Sequence, residues 1–247
     1  MSVVCSCGRL GGMDAIDPES TTVAELVLAR PSRARVLERL GIDYCCGGRQ
    51  SLSAACARRN LDVGAVLSAL DAPPDSSDGE LEDWTRSPLG ILCDHIVTAH
   101  HGSLRSELPR LSTLLEKVER AHADRKPELH ETRAVFERLR DELEEHMAKE
   151  EQVFFPACRS IEETGQAPAF VHAARLVLEH DHDEAGAALQ RLSELTHGYD
   201  ADLALCNTHR ALLDGLHELE LDLHQHIHEE NNILFPRALE AAGVDTG

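Results

Sequence analysis

Along the last two thirds of the chain, apolar residues recur at steps of three and four, the period of a helix that keeps one face toward a core. In FERLRDELEEHMAKEEQVFFP, Leu139, Leu143, His146, Glu150 and Val153 follow that spacing. In GLHELELDLHQHIHEENNILFP, it joins Leu212, Leu216, Leu219, Leu223, His226, Glu230 and Leu234. A third stripe runs through Leu178, His182, Ala185, Leu189 and Leu192, and a fourth through Leu104, Leu108, Leu111, Leu115 and Val118. Traced backwards, the fourth reaches either Val97 and His101 or Ile96 and His100, and periodicity does not choose between them. The pattern predicts long helices over about 88–120, 128–161, 169–197 and 201–240. Their short connections make neighbours antiparallel, giving an all-α four-helix bundle over 88–241.

The chain before the bundle reads differently. Residues 1–20 hold Gly11-Gly12 and Asp17-Pro18 with little periodicity, the signature of a flexible leader. Thr22 followed by Glu25 spells a capping box, so helix begins near 23. Pro31 suits the start of a second short helix, which Gly41 can end, and two Ala/Leu-rich segments follow near 52–59 and 62–70. Residues 21–71 are thus a small helical, cysteine-containing domain that needs contact with the bundle or with a second subunit, as in a homodimer, to be stable. Pro73-Pro74, Ser76-Ser77 and Gly79 mark 72–87 as a linker, and 242–247 is a short C-terminal tail.

Composition supports this division. Aromatic residues make up only 3% of the chain against 42% hydrophobic, which favours helix packing over sheet. Residues 1–70 carry eight Arg and seven acids, and residues 71–247 carry 16 Lys plus Arg against 37 acids. So acidic a bundle is a poor partner for nucleic acid or an anionic membrane and a good environment for cations. The eight cysteines are too dispersed for a disulfide scaffold and are expected to be reduced. With no 18-residue apolar run and no basic, apolar leader, the expected location is the cytoplasm.

All fifteen histidines lie at or beyond His95. His146 with Glu150, and His226 with Glu230, interrupt apolar stripes with an imidazole and a carboxylate one turn apart. Burying a lone carboxylate costs several kcal/mol, so a cation is the economical explanation. Each helix can present one inward histidine and two helices add a carboxylate, giving four imidazoles and two bridges for two metal ions. Oxygen bridges with imidazoles suit iron, although manganese or zinc accept the same donors. The competing reading, surface His/Glu pairs in an acidic bundle, does not account for polar residues on four inward registers. His95, His100, His180, His224 and His228 read as neighbours of the centre. His122, His130, His172, His197, His209 and His217 read as surface residues.

The order DHIVTAHH, EEHMAKEEQVFFP, LEHDHDEAG and HIHEENNILFPRAL resembles the hemerythrin-like di-iron proteins known as repair-of-iron-centres proteins. RVLERLGIDYCCGGRQSL is similar to their small cysteine-containing module. The resemblance spans roughly residues 22–240 and implies a hemerythrin-like bundle holding two irons per chain, oxo- or hydroxo-bridged. It selects His101 in the first helix and implies His101, His146, Glu150, His182, His226 and Glu230 as ligands. The family's EHD segment reads DHD here, which puts Asp181 beside His182. Cys45 and Cys46 fall in the DYCCGG signature, with thiol chemistry the implied role, whereas Cys5 and Cys7 precede the matched region.

The function implied is repair of iron–sulfur clusters damaged by oxidative or nitrosative stress, through iron donation or nitric-oxide-related redox chemistry. Its partners would be proteins with damaged clusters and a thiol or electron-transfer partner. A hemerythrin-like oxygen or nitric-oxide sensor is the alternative from another class. A di-iron peroxidase or nitric-oxide reductase, turning over with a reductant, is a third.

Overall fold

The computed structural model describes residues 16–73 and 82–243. The small domain is built from α1 (Val23–Ala29), α2 (Arg33–Arg39), α3 (Leu52–Arg59) and α4 (Val63–Asp71). The capping box forms as its spacing predicts, with the Glu25 carboxylate accepting from the Thr22 N–H at 2.8 Å. Gly41, at φ +64°, turns the chain after α2. Between α2 and α3 the Cys45-Cys46-Gly47-Gly48 turn folds back so closely that a Cβ at Gly48 would collide with the Tyr44 carbonyl oxygen. That turn depends on glycine there.

Two expectations about the flanks are corrected. The part of the leader that is described, residues 16–20, is packed: Ile16 joins the small core and the Pro18 carbonyl accepts the Ser53 N–H at 2.9 Å. Likewise Trp84, at the end of the expected linker, forms a short 3₁₀ turn that packs onto the bundle core. The rest of the leader, with Cys5 and Cys7, and tail residues 244–247 lie outside the described residues.

Three of the four long rods are each broken by one widened, π-type turn. The first runs α5 (Leu89–Ile96), a π turn (Val97–His101) and α6 (Gly102–His122). The second is α7 (Glu128–Lys149), a π turn (Glu150–Phe154) and α8 (Phe155–Thr164). The third is the unbroken α9 (Val171–Leu195), and the fourth is α10 (Asn207–Glu229), a π turn (Glu230–Leu234) and α11 (Phe235–Ala241). Around the bundle α10 packs on α6, α6 on α7, and α7 on α9.

The π turns change the register that period 3.6 predicts. Each takes up one extra residue, so positions beyond it rotate by about 100°. Val153, expected inside, is 43% exposed, and its neighbour Phe154 is fully buried instead. In the second and fourth rods the restarted helix carries Pro156 or Pro236 at its second position. Proline lacks the N–H that would bond four residues back, and its ring crowds that carbonyl, which favours widening of the turn before it. In the first rod the π turn resolves the ambiguity between the two stripes, because Ile96 and His101, five apart, are both fully buried.

A polar layer divides the bundle core in two. Leu104, Leu143, Ala185 and Leu223 belong to one apolar cluster, and Ile96, Phe154, Leu178 and Leu234 to the other. His101, His146, Glu150, His182, His226 and Glu230 lie between them, each at most 2% exposed.

Candidate metal centre

The six inward residues assemble as two overlapping groups. Donor atoms of His101, Glu150, His226 and Glu230 lie within 4.8 Å of one another, as do those of His146, Glu150, His182 and Glu230. Both carboxylates belong to both groups. Glu150 sends Oε2 to His101 Nε2 and Oε1 to His146 Nε2, each at 3.2 Å. Glu230 sends Oε1 to His226 Nε2 and Oε2 to His182 Nε2, each at 3.1 Å. One oxygen of each carboxylate therefore faces each group, as bridging of two ions requires.

The nitrogens facing the centre are poised as donors to metal. The outer Nδ1 of His101 meets Glu151 at 2.6 Å, that of His146 meets Asp181 at 3.2 Å, and that of His182 meets Asn231 at 2.9 Å. When each Nδ1–H donates to its oxygen, each Nε2 is left with a lone pair pointing inward. His146 Nε2 and His182 Nε2 then face each other at 3.0 Å, a repulsive contact unless a cation or proton lies between them. Glu150 Oε1 and Oε2, Glu230 Oε2 and His101 Nε2 are buried without a hydrogen-bond partner. Donor separations of 3.1–3.2 Å match adjacent positions around an ion bonded at about 2.0–2.2 Å. The residues present fit a di-iron centre.

Without metal, local electrostatics favour protonated imidazoles on part of this layer. Burial opposes charge on His146, but Glu150 and Asp181 outweigh it and lift the imidazole to about 10. His101 is lifted the same way, against burial, by Glu150 and Glu151. Burial would favour protonated Glu230, yet His226 and His182 hold it well below the carboxylate range. Burial lowers His226. Without metal the layer therefore stores protons, which metal uptake displaces.

Glu151 and Asn231 each follow one of the two shared glutamates by one position, and each serves an imidazole of the preceding rod. The sequence reading missed both; the paired EE and EN after the two HxxxE motifs are the signal. Asp181, seen only as a departure from the family, anchors His146 and accepts from Lys149 at 2.9 Å. These two partners, working against burial, hold its carboxyl at about 2. A cavity of about 140 Å³, lined by His146, Lys149, Asp181, His182 and His226 among others, opens onto this side of the centre.

Of the remaining histidines, His209 corrects the surface assignment: it is 4% exposed and accepts the Leu205 N–H at the start of α10. His100 and His228 are buried as well, while His180 is exposed. The cysteine turn also sits close to the centre. Cys46 Sγ lies 3.4 Å from the His182 carbonyl oxygen, and Tyr44 packs edge-on against His228 with ring centroids 5.3 Å apart. Arg49 pairs with Glu179 of α9 at 2.9 Å. The two thiols are 3.8 Å apart, hydrogen-bonded and not joined as a disulfide.

Residues 94–238 match the Hemerythrin HHE cation binding domain, and residues 19–73 match ScdA_N, a domain of unknown function. The chain is 38% identical over 222 residues to the iron-sulfur cluster repair protein YtfE of Pectobacterium carotovorum, covering 88% of this chain and 96% of that protein. Against the YtfE of Yersinia pseudotuberculosis it is 38% identical over 228 residues, covering 91% and 99%. The match thus takes in both domains. The chain belongs to the hemerythrin HHE cation-binding family, in the two-domain form that it shares with these YtfE relatives.

Proposed function

We propose that this protein takes part in the repair of iron–sulfur clusters damaged by oxidative or nitrosative stress. His101, His146, His182 and His226, with Glu150 and Glu230 shared between the two groups, would hold two irons. The observation that carries the reading is the pair of imidazole nitrogens facing each other at 3.0 Å, with each carboxylate split between both groups, in a chain aligned with nearly the whole of proteins named for cluster repair. Bound there, two irons supply one-electron redox steps and open coordination positions.

The chain's own residues do the rest. Glu151, Asp181 and Asn231 orient three imidazoles, and the two apolar clusters exclude water from above and below. The cavity beside Lys149 admits a small molecule to the His146 and His182 side, where it also leaves a route for an outgoing ion. Cys45 is pushed well up by its hydrogen bond to Cys46, by burial and by Asp43, so it stays a thiol. Cys46 is the more exposed sulfur and the better placed to meet a partner's thiol or cluster. Damaged iron–sulfur proteins and a thiol or electron donor are the partners this chemistry calls for. No described helix is long and apolar enough to cross a membrane, and free cysteines suit the reducing cytoplasm, where we place the protein.

The test is transfer. Protein loaded anaerobically with iron is mixed with an apo or nitrosylated iron–sulfur protein, and recovery of the cluster is followed beside iron lost from the donor. Repair that tracks iron loading supports the reading, and C45A/C46A should keep the iron but repair more slowly. Repair independent of bound iron would reject it.

A further inference from the structure

A second set of buried donors lies outside the six-residue centre. His95 Nε2, His100 Nε2 and Glu229 Oε2 fall within 4.8 Å of one another, and none has a hydrogen-bond partner. Glu229 and His100 are each 3% exposed, and the His95 side chain is 24% exposed. The π turn of the first rod brings the two histidines together. Residues five apart diverge by about 140° on an α-helix, and the extra residue in the wide turn restores them to one face.

We propose that His95 Nε2, His100 Nε2 and Glu229 Oε2 form a third, mononuclear site for a divalent first-row transition-metal ion. The distances favour this over a plain ion-pair network. Glu229 Oε2 is 3.3 Å from His95 Nε2 and 3.5 Å from His100 Nε2. Charge-assisted hydrogen bonds close to about 2.7–2.9 Å. Donors bonded at about 2.1 Å to one tetrahedral ion stand about 3.4 Å apart.

The groups around the site complete the case. Asp222 Oδ1 takes His100 Nδ1 at 2.8 Å, which fixes the ring with its Nε2 toward Glu229. Trp84 stacks on His95 with centroids 4.1 Å apart and limits its movement. A cleft at the seam of the two domains, lined by Trp84, Gln225, His228 and Glu229 among others, reaches the Glu229 side of the site. His100 also stacks flat on His226, with centroids 5.0 Å apart and planes at 5°, so the site adjoins the iron pair while sharing no donor with it. Two imidazoles and one carboxylate leave a fourth position for water, and the absence of thiolate suits a borderline ion such as Zn²⁺, Fe²⁺ or Co²⁺.

The experiment uses the full chain loaded with two irons and then titrated anaerobically with Co²⁺, whose ligand-field bands report four-coordination. Iron content and Mössbauer spectra are read at each point. Wild-type protein should take up one Co²⁺ per chain beyond the irons, with tetrahedral bands. His95→Gln and Glu229→Gln should each weaken that uptake at least about 100-fold, and Asp222→Asn about 10-fold, with the iron signal unchanged. Helicity is measured for each variant, and Glu229→Gln decides the matter if His95→Gln unfolds. No additional Co²⁺ in wild type, undiminished uptake in the folded variants, or joint loss of Co²⁺ and both irons would overturn the proposal.

Discussion

Removing the oxygens that hold the outer ring nitrogens should weaken the two irons unequally. Asp181 and Asn231 anchor His146 and His182, which belong to one donor group, whereas Glu151 anchors His101 of the other. His226 Nδ1 is buried without a partner, so that group has only one anchor to lose. Loss of such a partner costs about 10–100-fold in metal affinity, or about 1.4–2.7 kcal/mol. If the effects of Asp181→Ala and Asn231→Ala add, the double variant loses about 10²–10⁴-fold at one ion and little at the other. Chelator titration of the iron-loaded protein, followed by Mössbauer spectroscopy, should then pass through a plateau at one iron per chain. Glu151→Ala should release the opposite iron first, with a different remaining spectrum. Equal weakening of both irons in every variant, or affinities within about twofold of wild type, would refute the reasoning about the anchors.

Burial raises Glu220 to about 7 despite its hydrogen bond with Tyr199, so the folded state binds its proton more tightly than the unfolded state does. Its favourable contribution is complete below about pH 4.5 and is lost as pH rises through about 7; Glu220→Gln should stabilise the protein at pH 8, by at most about 3 kcal/mol, and not at pH 4, as read by urea unfolding. Gly48→Ala should cost about 1–3 kcal/mol and expose the cysteine turn, measured by thermal unfolding and by the rate at which Cys46 reacts with a thiol reagent; unchanged values would show that the turn accommodates a methyl. Stripping the irons should lower the melting temperature, because the buried layer loses the cations that balance Glu150 and Glu230, and calorimetry of apo and loaded protein checks this.

The helices, their antiparallel order and five of the six buried donors were legible in periodicity alone, because a polar residue on an apolar stripe is conspicuous wherever the 3.6-residue repeat is unbroken. His101 was the exception. Its choice over His100 needed the family resemblance, and the π turn shows why the stripe was ambiguous: one extra residue turns both histidines into the protein. The same defect sent Val153 outward and Phe154 inward. Neither is visible to a fixed period, since a π turn reflects how the rod is held by its neighbours as well as its local sequence. Glu151, Asn231 and Asp222 acquire their roles only across rods, through contacts between residues 50, 49 and 122 positions apart. The docking of Cys46 against His182 spans 136 positions. Sequence by itself determined which side chains each helix offers to the core; tertiary packing decided which nitrogen of each imidazole faces inward, what holds it there, and which sulfur lies beside the centre, because those outcomes depend on atoms that other segments contribute.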